Sequence, residues 1–311
     1  MSVNPRAATA GRAFCAAVSS ASGESLAATA SRIDHWILVE YRGRWGRDVL
    51  GGSLFSPELK AHLRGQLAAL GRARLLFVRQ PQRRSHGGRR VFVGTSKPGE
   101  ERFFRLEVEH QEDLREVDLA AALAGGDEAG ARIDQPLFVV CTHGKRDACC
   151  ALHGGPLYDA LRRETDADQV WQSTHVGGDR FAGNVVVLPH GLYYGRVVPA
   201  DVGDLLAAQR SGHIDLDRYR GRSAYSFPVQ AAEQAIRESE GLLGIDELVL
   251  LGSSRTGDDA WSVRFGTRDG AVHEVDVAAT LADEPMYLTC GSSEPQLARR
   301  HRATAHRVLS R

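Results

Sequence analysis

An α/β fold is predicted by three features of the chain. Short apolar runs of strand length, such as Trp36–Tyr41, Arg74–Arg79 and Pro136–Val140, alternate with segments of helical periodicity. The helical segments fall between strands, the order that builds βαβ units and parallel sheets. The composition, 42% apolar, 25% charged and 7% aromatic in 311 residues, supports a substantial buried core and excludes disordered and fibrous classes.

Residues 1–31, rich in Ala and Ser, read as a loosely structured leader, and Arg6, Arg12 and Glu24 interrupt any signal-peptide core. Residues 32–130 read as an N-terminal α/β lobe. Its first strand is Trp36–Tyr41. Ser56 then caps a helix with Pro57 in its first turn and Leu59, Leu63, Leu67 and Leu70 at helical spacing. Arg74–Arg79 completes a βαβ unit. Arg90–Gly94 and Arg102–Val108 read as strands joined by a turn at Lys97-Pro98-Gly99, and Ala124–Gly130 as a linker.

Residues 131–224 repeat the order. Pro136–Val140 is a buried strand, Pro156 opens a helix to about Arg163, and Gln169–Ser173 is a second strand. Asn184–Pro189 and Leu192–Val197 form a hairpin across His190-Gly191, and Pro199–Arg210 is a helix. This order, β-α-β-β-β-α, predicts a thioredoxin-like sheet. Residues 225–311 read as a small α+β appendage. It has a helix near Val229–Glu238 and strands near Glu247–Leu251, Ala260–Phe265 and Ala271–Val277.

Lys+Arg and Asp+Glu both number 39, so no global field draws the chain to nucleic acid or anionic lipid. No apolar run approaches the roughly 18–20 residues that cross a bilayer. The chain is therefore expected to bind neither nucleic acid nor membrane. Five cysteines, an odd number, read as cytoplasmic thiols or metal ligands rather than a disulfide framework.

Three of those cysteines fall in Cys141-Thr-His143-Gly-Lys145-Arg146-Asp147-Ala-Cys149-Cys150, which begins where a strand ends. Strand ends in α/β folds are where ligands bind. Thiolates are soft ligands, and Cys141 and Cys150 on one loop can both face a metal or an iron–sulfur cluster. Packing as small apolar residues is the plain alternative for any one of them; three within a Gly-, Lys- and Asp-containing loop argue against it. A second cluster, Ser173-Thr-His175-Val-Gly177-Gly178-Asp179-Arg180, follows the next strand. Its glycines permit close backbone approach, and His175 and Asp179, four apart, can share a side. Taken alone it reads as a turn with a hydrogen-bonded His.

Competing patterns are weaker. Cys141-Thr-His143 and Cys150-Ala-Leu-His153 are the half-motifs of a Rieske site, but the six residues between them leave little room for two loops. Cys149-Cys150 is a vicinal pair suited to a cluster-free dithiol metal or redox sensor. A hydrolase with a cysteine nucleophile and His175 as base has no obvious third orienting group, and a cysteine-dependent thiol oxidoreductase would need an acidic thiol at Cys141 or Cys150. No pair of acidic residues argues for glycoside hydrolysis.

Together, Cys141–Cys150, the Pro156–Leu161 helix, Val170-Trp-Gln-Ser-Thr-His175-Val-Gly-Gly178 and Phe181-Ala-Gly-Asn184 through Pro189–Val197 resemble the sucrase/ferredoxin-like family. Its members include fungal thioredoxin-like ferredoxins with a [2Fe–2S] cluster. The resemblance is dense over about residues 135–210 and extends to Trp36–Glu40 and Trp45-Gly46; beyond about 225 it rests on Tyr287-Leu-Thr-Cys290.

The resemblance implies a thioredoxin-like domain whose cluster is held by two cysteines of the first loop and two histidines of an H-x-x-x-H arrangement in the second. Carried over, these fall on Cys141, Cys150 and His175. Asp179 stands where the fungal pattern has its second His, with Cys149, His143 and Cys290 as other candidates for that place. The implied role is that of an electron carrier rather than a stand-alone enzyme, serving a redox partner protein. Lys145, Arg146 and Arg180 are the basic residues placed to neutralise the cluster or dock that partner.

Overall fold

The structure, a computed structural model, describes residues 13–81, 88–125 and 130–310. Part of the expected linker, residues 126–129, lies outside the described residues. After a short helix, α1 (Cys15–Ala21), the chain runs β1 (His35–Glu40), α2 (Pro57–Leu70), β2 (Ala73–Arg79), β3 (Arg89–Thr95), β4 (Arg102–Val108), α3 (Leu119–Ala124) and β5 (Ala131–Arg132). It continues with β6 (Leu137–Cys141), α4 (Ala148–Glu164), β7 (Val170–Ser173), β8 (Val185–Leu188), β9 (Leu192–Tyr194), α5 (Val202–Arg210) and β10 (Tyr219–Arg222). The last elements are α6 (Phe227–Glu240), β11 (Leu248–Gly257), β12 (Ala260–Thr267), β13 (Val272–Leu281) and β14 (Arg299–Ser310).

Strands β1 to β10 form one sheet in the order β10-β9-β8-β6-β7-β2-β1-β3-β4-β5. Within it the same topology occurs twice. In one unit β1 is parallel to β2 and antiparallel to β3, which pairs with β4; in the other β6 is parallel to β7 and antiparallel to β8, which pairs with β9. The α/β fold is thus built from two thioredoxin-like units in tandem. They join edge to edge where the ends of β2 and β7 pair antiparallel, Val78 with Ser173 and Arg79 with Gln172. This overlap at the carboxyl ends turns the loops after β1 and after β6 toward each other.

The strands are apolar on both faces because both faces are covered. Phe138 and Val140 face Leu157, Tyr158 and Leu161 of α4, whereas Leu137, Val139 and Cys141 face a second layer containing Trp36, Leu38 and Trp171. The two-residue alternation of a strand therefore puts Cys141 in that second layer, with Cys150.

Helix α4 differs from its expected start at Pro156. It begins at Ala148 inside the cysteine motif, because the Asp147 side chain accepts the Cys149 N–H at 2.9 Å and caps it. Pro156 sits within the helix, where it forgoes one backbone donor. Gly154 is the contact point with β6: a Cβ there would lie 2.0 Å from the Cys141 carbonyl oxygen. The expected leader also differs. Residues 13–31 are packed, Cys15 is 1% exposed, and the backbone of Thr29 pairs with Arg220 and that of Ile33 with Ser223.

The appendage is α6 packed on a four-stranded antiparallel sheet, β11-β12-β13-β14, through Ala232, Ile236, Val263, Phe265, Val275 and Val277. Strand β14, with Arg299, Arg300, Arg302 and Arg307, is a polar edge strand without an apolar run for periodicity to detect. Among the described residues no helix is long and apolar enough to cross a membrane.

Candidate metal centre

The loop after β6 is tied down before it reaches α4. The amides of Arg146 and Asp147 both donate to the His143 carbonyl, at 3.0 and 3.1 Å, and the Thr142 amide donates to Ser173 O at 3.1 Å. This links the ends of β6 and β7. The loop after β7 turns on Gly177 and Gly178, whose φ values of 108° and 78° suit glycine. A Cβ on Gly178 would lie 2.3 Å from the Arg220 guanidinium. A short 3-10 turn, Asp179–Phe181, follows.

These two loops bring Cys141, Cys150 and His175 together, with one ligand atom from each within 4.8 Å of the others. Asp179 joins them. Its Oδ1 lies 2.9 Å from His175 Nδ1 and accepts from Cys150 Sγ at 3.4 Å, while Cys150 Sγ is 4.0 Å from that same nitrogen. Cys141, Cys150 and Asp179 are buried; the His175 side chain, 20% exposed, is the wet edge.

The electrostatics are those of a tight donor cluster. A hydrogen bond from Cys150 holds the Cys141 thiol well below its ordinary range, against the cost of burial and with help from His175. That same bond, with burial, pushes Cys150 up. Burial of the His175 ring opposes protonation, but the hydrogen bonds to Asp179 and Cys141 outweigh it and raise the pKa to about 9. Burial, and then the charge of Asp179, raises Asp147 to about 6.

The other three donors considered for the fourth place point elsewhere. His143 Nε2 lies 2.9 Å from the Gly46 carbonyl, its Nδ1 accepts the His175 amide at 3.3 Å, and its ring meets Trp45 edge-on at 5.8 Å. It positions the His175 backbone, and this occupation of both ring nitrogens removes the Rieske-type reading. Cys149 and Cys290 lie 3.4 Å apart, sulfur to sulfur, and form a separate group with Cys15 and Asp147.

Arg220 is a residue that sequence reasoning missed. It is fully buried, donates to Asn184 Oδ1 at 2.7 Å, Gly177 O at 3.1 Å and Thr29 O at 2.6 Å, and lies over the Phe181 ring. Burial lowers its pKa to about 10. It thus fixes the His175–Asp179 loop from behind with a positive charge. Its strand, Tyr219-Arg-Gly-Arg222, offers no periodic signal, so only a basic residue inside a short strand hinted at it. Arg180, expected to be available for docking, is committed to Glu24 at 2.9 Å.

His175 faces a cleft of 410 Å³ walled by Arg47, Arg64, Arg74 and Arg146, with Asp48 as its acidic residue. The loop after β1 supplies Arg47 and Asp48, so the first unit forms one wall of the centre in the second.

The family described as sucrase/ferredoxin-like matches residues 26–221. The chain is similar to "Altered inheritance of mitochondria protein 32" of Meyerozyma guilliermondii, 32% identical over 142 residues that cover 42% of this chain and 48% of that protein. It is also similar to the protein of the same name from Eremothecium gossypii, 31% identical over 126 residues, 36% of this chain and 40% of that one. The chain therefore spans about half the length, or less, of the curated relatives it matches. Among solved structures, a serine variant of the thioredoxin-like [2Fe-2S] ferredoxin from Aquifex aeolicus is similar at 18% identity and a TM-score of 0.25, covering 27% of this chain and 97% of that one.

Proposed function

The chain belongs to the sucrase/ferredoxin-like family, and from that premise we propose that it is an electron-transfer protein in which Cys141, Cys150, His175 and Asp179 hold a [2Fe–2S] cluster. The observation that carries this reading is the convergence of two thiols, an imidazole and a carboxylate at the carboxyl ends of β6 and β7. The donor set fits the group. Cys141 and Cys150 are soft ligands, imidazole replaces thiolate in mixed-ligand [2Fe–2S] centres, and Asp179 is the one hard donor.

Bound there, the cluster would supply one-electron transfer, at a potential raised above that of an all-cysteine centre by its less negative ligands. The protein's own residues do the rest. The hydrogen bond from Cys150 favours the Cys141 thiolate. Gly154 lets α4 close onto Cys141, and His143 sets the His175 backbone. Buried Arg220 offsets negative charge behind the second loop. His175, at the cleft, is the exposed edge of the centre. A redox partner protein with an acidic face would complement the arginines that wall it. The described residues hold no disulfide bond, which fits a reducing compartment such as the cytoplasm.

A thiol oxidoreductase is disfavoured by geometry. Cys150 and Asp179 address the same nitrogen of His175, whereas a base needs its orienting group on the other nitrogen. Cys141 and Cys150 are also each 1% exposed, which closes both to a substrate.

The test is an absorbance spectrum and a reduced-state EPR spectrum on protein purified without oxygen, with iron and sulfide assays on the same sample. Iron and sulfide at [2Fe–2S] stoichiometry with a rhombic reduced signal is the expected result. A colourless, iron-free chain that also fails anaerobic reconstitution overturns the proposal.

A further inference from the structure

The remaining cysteines form a second group of donors. Cys15 comes from α1, Cys149 from the first turn of α4, and Cys290 from the segment between β13 and β14. Their sulfurs form a triangle with sides of 3.6 Å (Cys15–Cys149), 3.4 Å (Cys149–Cys290) and 3.5 Å (Cys290–Cys15). Asp147 lies beside it, its carboxylate oxygens 3.8 and 3.9 Å from the Cys15 sulfur.

We propose that Cys15, Cys149, Cys290 and Asp147 form a second metal site that takes a single tetrahedral ion of the zinc class.

The spacing selects the chemistry. A disulfide needs sulfurs about 2.05 Å apart, so none of the three pairs is bonded. A tetrahedral ion with Zn–S bonds of about 2.3 Å holds its sulfurs about 3.8 Å apart, and the triangle reaches that by opening a few tenths of an ångström. A multi-iron cubane, which binds each cysteine through a different iron, would need the sulfurs much farther apart. Three soft thiolates with one carboxylate suit zinc better than a hard cation such as Mg²⁺ or Ca²⁺.

The surroundings are those of a ligand set already oriented. The Cys149 amide donates to Asp147 Oδ1 at 2.9 Å and the Cys290 amide to Asp147 Oδ2 at 2.6 Å. The Ala16 amide donates to the Cys149 sulfur and the Cys15 amide to the Cys290 sulfur. Such contacts aim ligands and stabilise thiolate charge. The Arg47 guanidinium lies beside Gly291, the residue after Cys290. Cys15 and Cys149 are buried and Cys290 is half-buried. Four protein donors with no open position make a structural site rather than a catalytic one. Its effect is to clamp α1 and the segment carrying Cys290 onto the start of α4, one residue from Cys150.

The test uses the full chain, purified without oxygen in reducing buffer, with zinc K-edge X-ray absorption and metal analysis of the wild type. The expected result is a single zinc with three sulfur neighbours and one oxygen. It is retained by a Cys141→Ser/Cys150→Ser variant and lost by Cys290→Ser and by Cys15→Ser. Cobalt(II) substitution of the Cys141→Ser/Cys150→Ser chain should give the intense visible bands of a three-thiolate tetrahedral ion. Zinc with two sulfur neighbours, no zinc after equilibration with the metal, or a disulfide among the three thiols in rapidly alkylated protein overturns the proposal. The cluster reading fails separately, by absence of iron and sulfide, and zinc in both groups would sink that reading while leaving this one standing.

Discussion

Cys149 and Cys150 are consecutive residues of α4, yet their sulfurs belong to different groups. Cys149 lies 3.6 Å from Cys15, while Cys150 lies 3.4 Å from Asp179. One residue of helix rotates a side chain by about 100°, so a vicinal pair in the first turn addresses two sites and its thiols do not face each other. Asp147, the cap of that turn, belongs to the Cys149 side and Asp179 to the Cys150 side.

Asp179→His should retain iron, whereas Asp179→Ala should lose most of it. Reduction adds negative charge to the centre, so replacing an anionic carboxylate by a neutral imidazole favours the reduced form. The potential should rise by on the order of 100 mV, the direction set by less negative ligands in mixed-ligand centres. A redox titration followed by EPR checks the sign.

Gly154→Ala should empty the centre without replacing a ligand. The added methyl would collide with the Cys141 carbonyl and lift α4 from β6, whereas Gly155 has open space around it. Gly155→Ala should therefore keep its iron and gain up to about 1 kcal/mol from helix propensity. Iron content and urea unfolding of the two variants provide the comparison.

Arg220→Met should destabilise the chain by about 3 kcal/mol or more, because Gly177 O, Thr29 O and Asn184 Oδ1 lose a buried charged donor. Denaturant unfolding measures the loss. In the variant the His175–Asp179 loop should exchange its amides faster than the rest of the second unit.

Glu101 of the β3–β4 turn carries a pH signature. Burial raises its carboxyl pKa, but His190 and Arg222, at 3.7 and 3.2 Å, outweigh burial and hold it below the ordinary value of 4.5. A carboxyl depressed by folding stabilises the native state above its unfolded pKa and loses that contribution as pH falls through the lower folded value. Wild type should exceed Glu101→Gln by about 1–2 kcal/mol at neutral pH. The gap should close below about pH 4 in unfolding curves taken across the acid range.

Much of this architecture is legible in the chain because its strands are short apolar runs and α2 announces its start with Ser56 and Pro57. The expected βαβ unit at Trp36–Arg79 and the hairpin across His190-Gly191 correspond to β1-α2-β2 and β8-β9. The start of α4 was obscured by two competing signals, Pro156 in a favoured first-turn position and Asp147 as a cap, and the cap prevailed. Strand β14 escaped detection because a polar edge carries no apolar period. Cys15 and Cys290 were visible as cysteines, but their meeting depends on segments 275 residues apart, a contact that local pattern cannot reveal.

The tandem sheet has a consequence for how the centre meets water. In a lone thioredoxin-like unit, a centre at a strand end stands in solvent. Here the corresponding loop of the sister unit lies over it: Trp45 sits against His143 under the Arg79 guanidinium, while Tyr41 stacks on Phe77 to brace that loop. The first unit carries no cysteine at the end of β1 and serves as permanent insulation for the second. The approach to the centre from solvent is thereby narrowed to the partly exposed imidazole of His175.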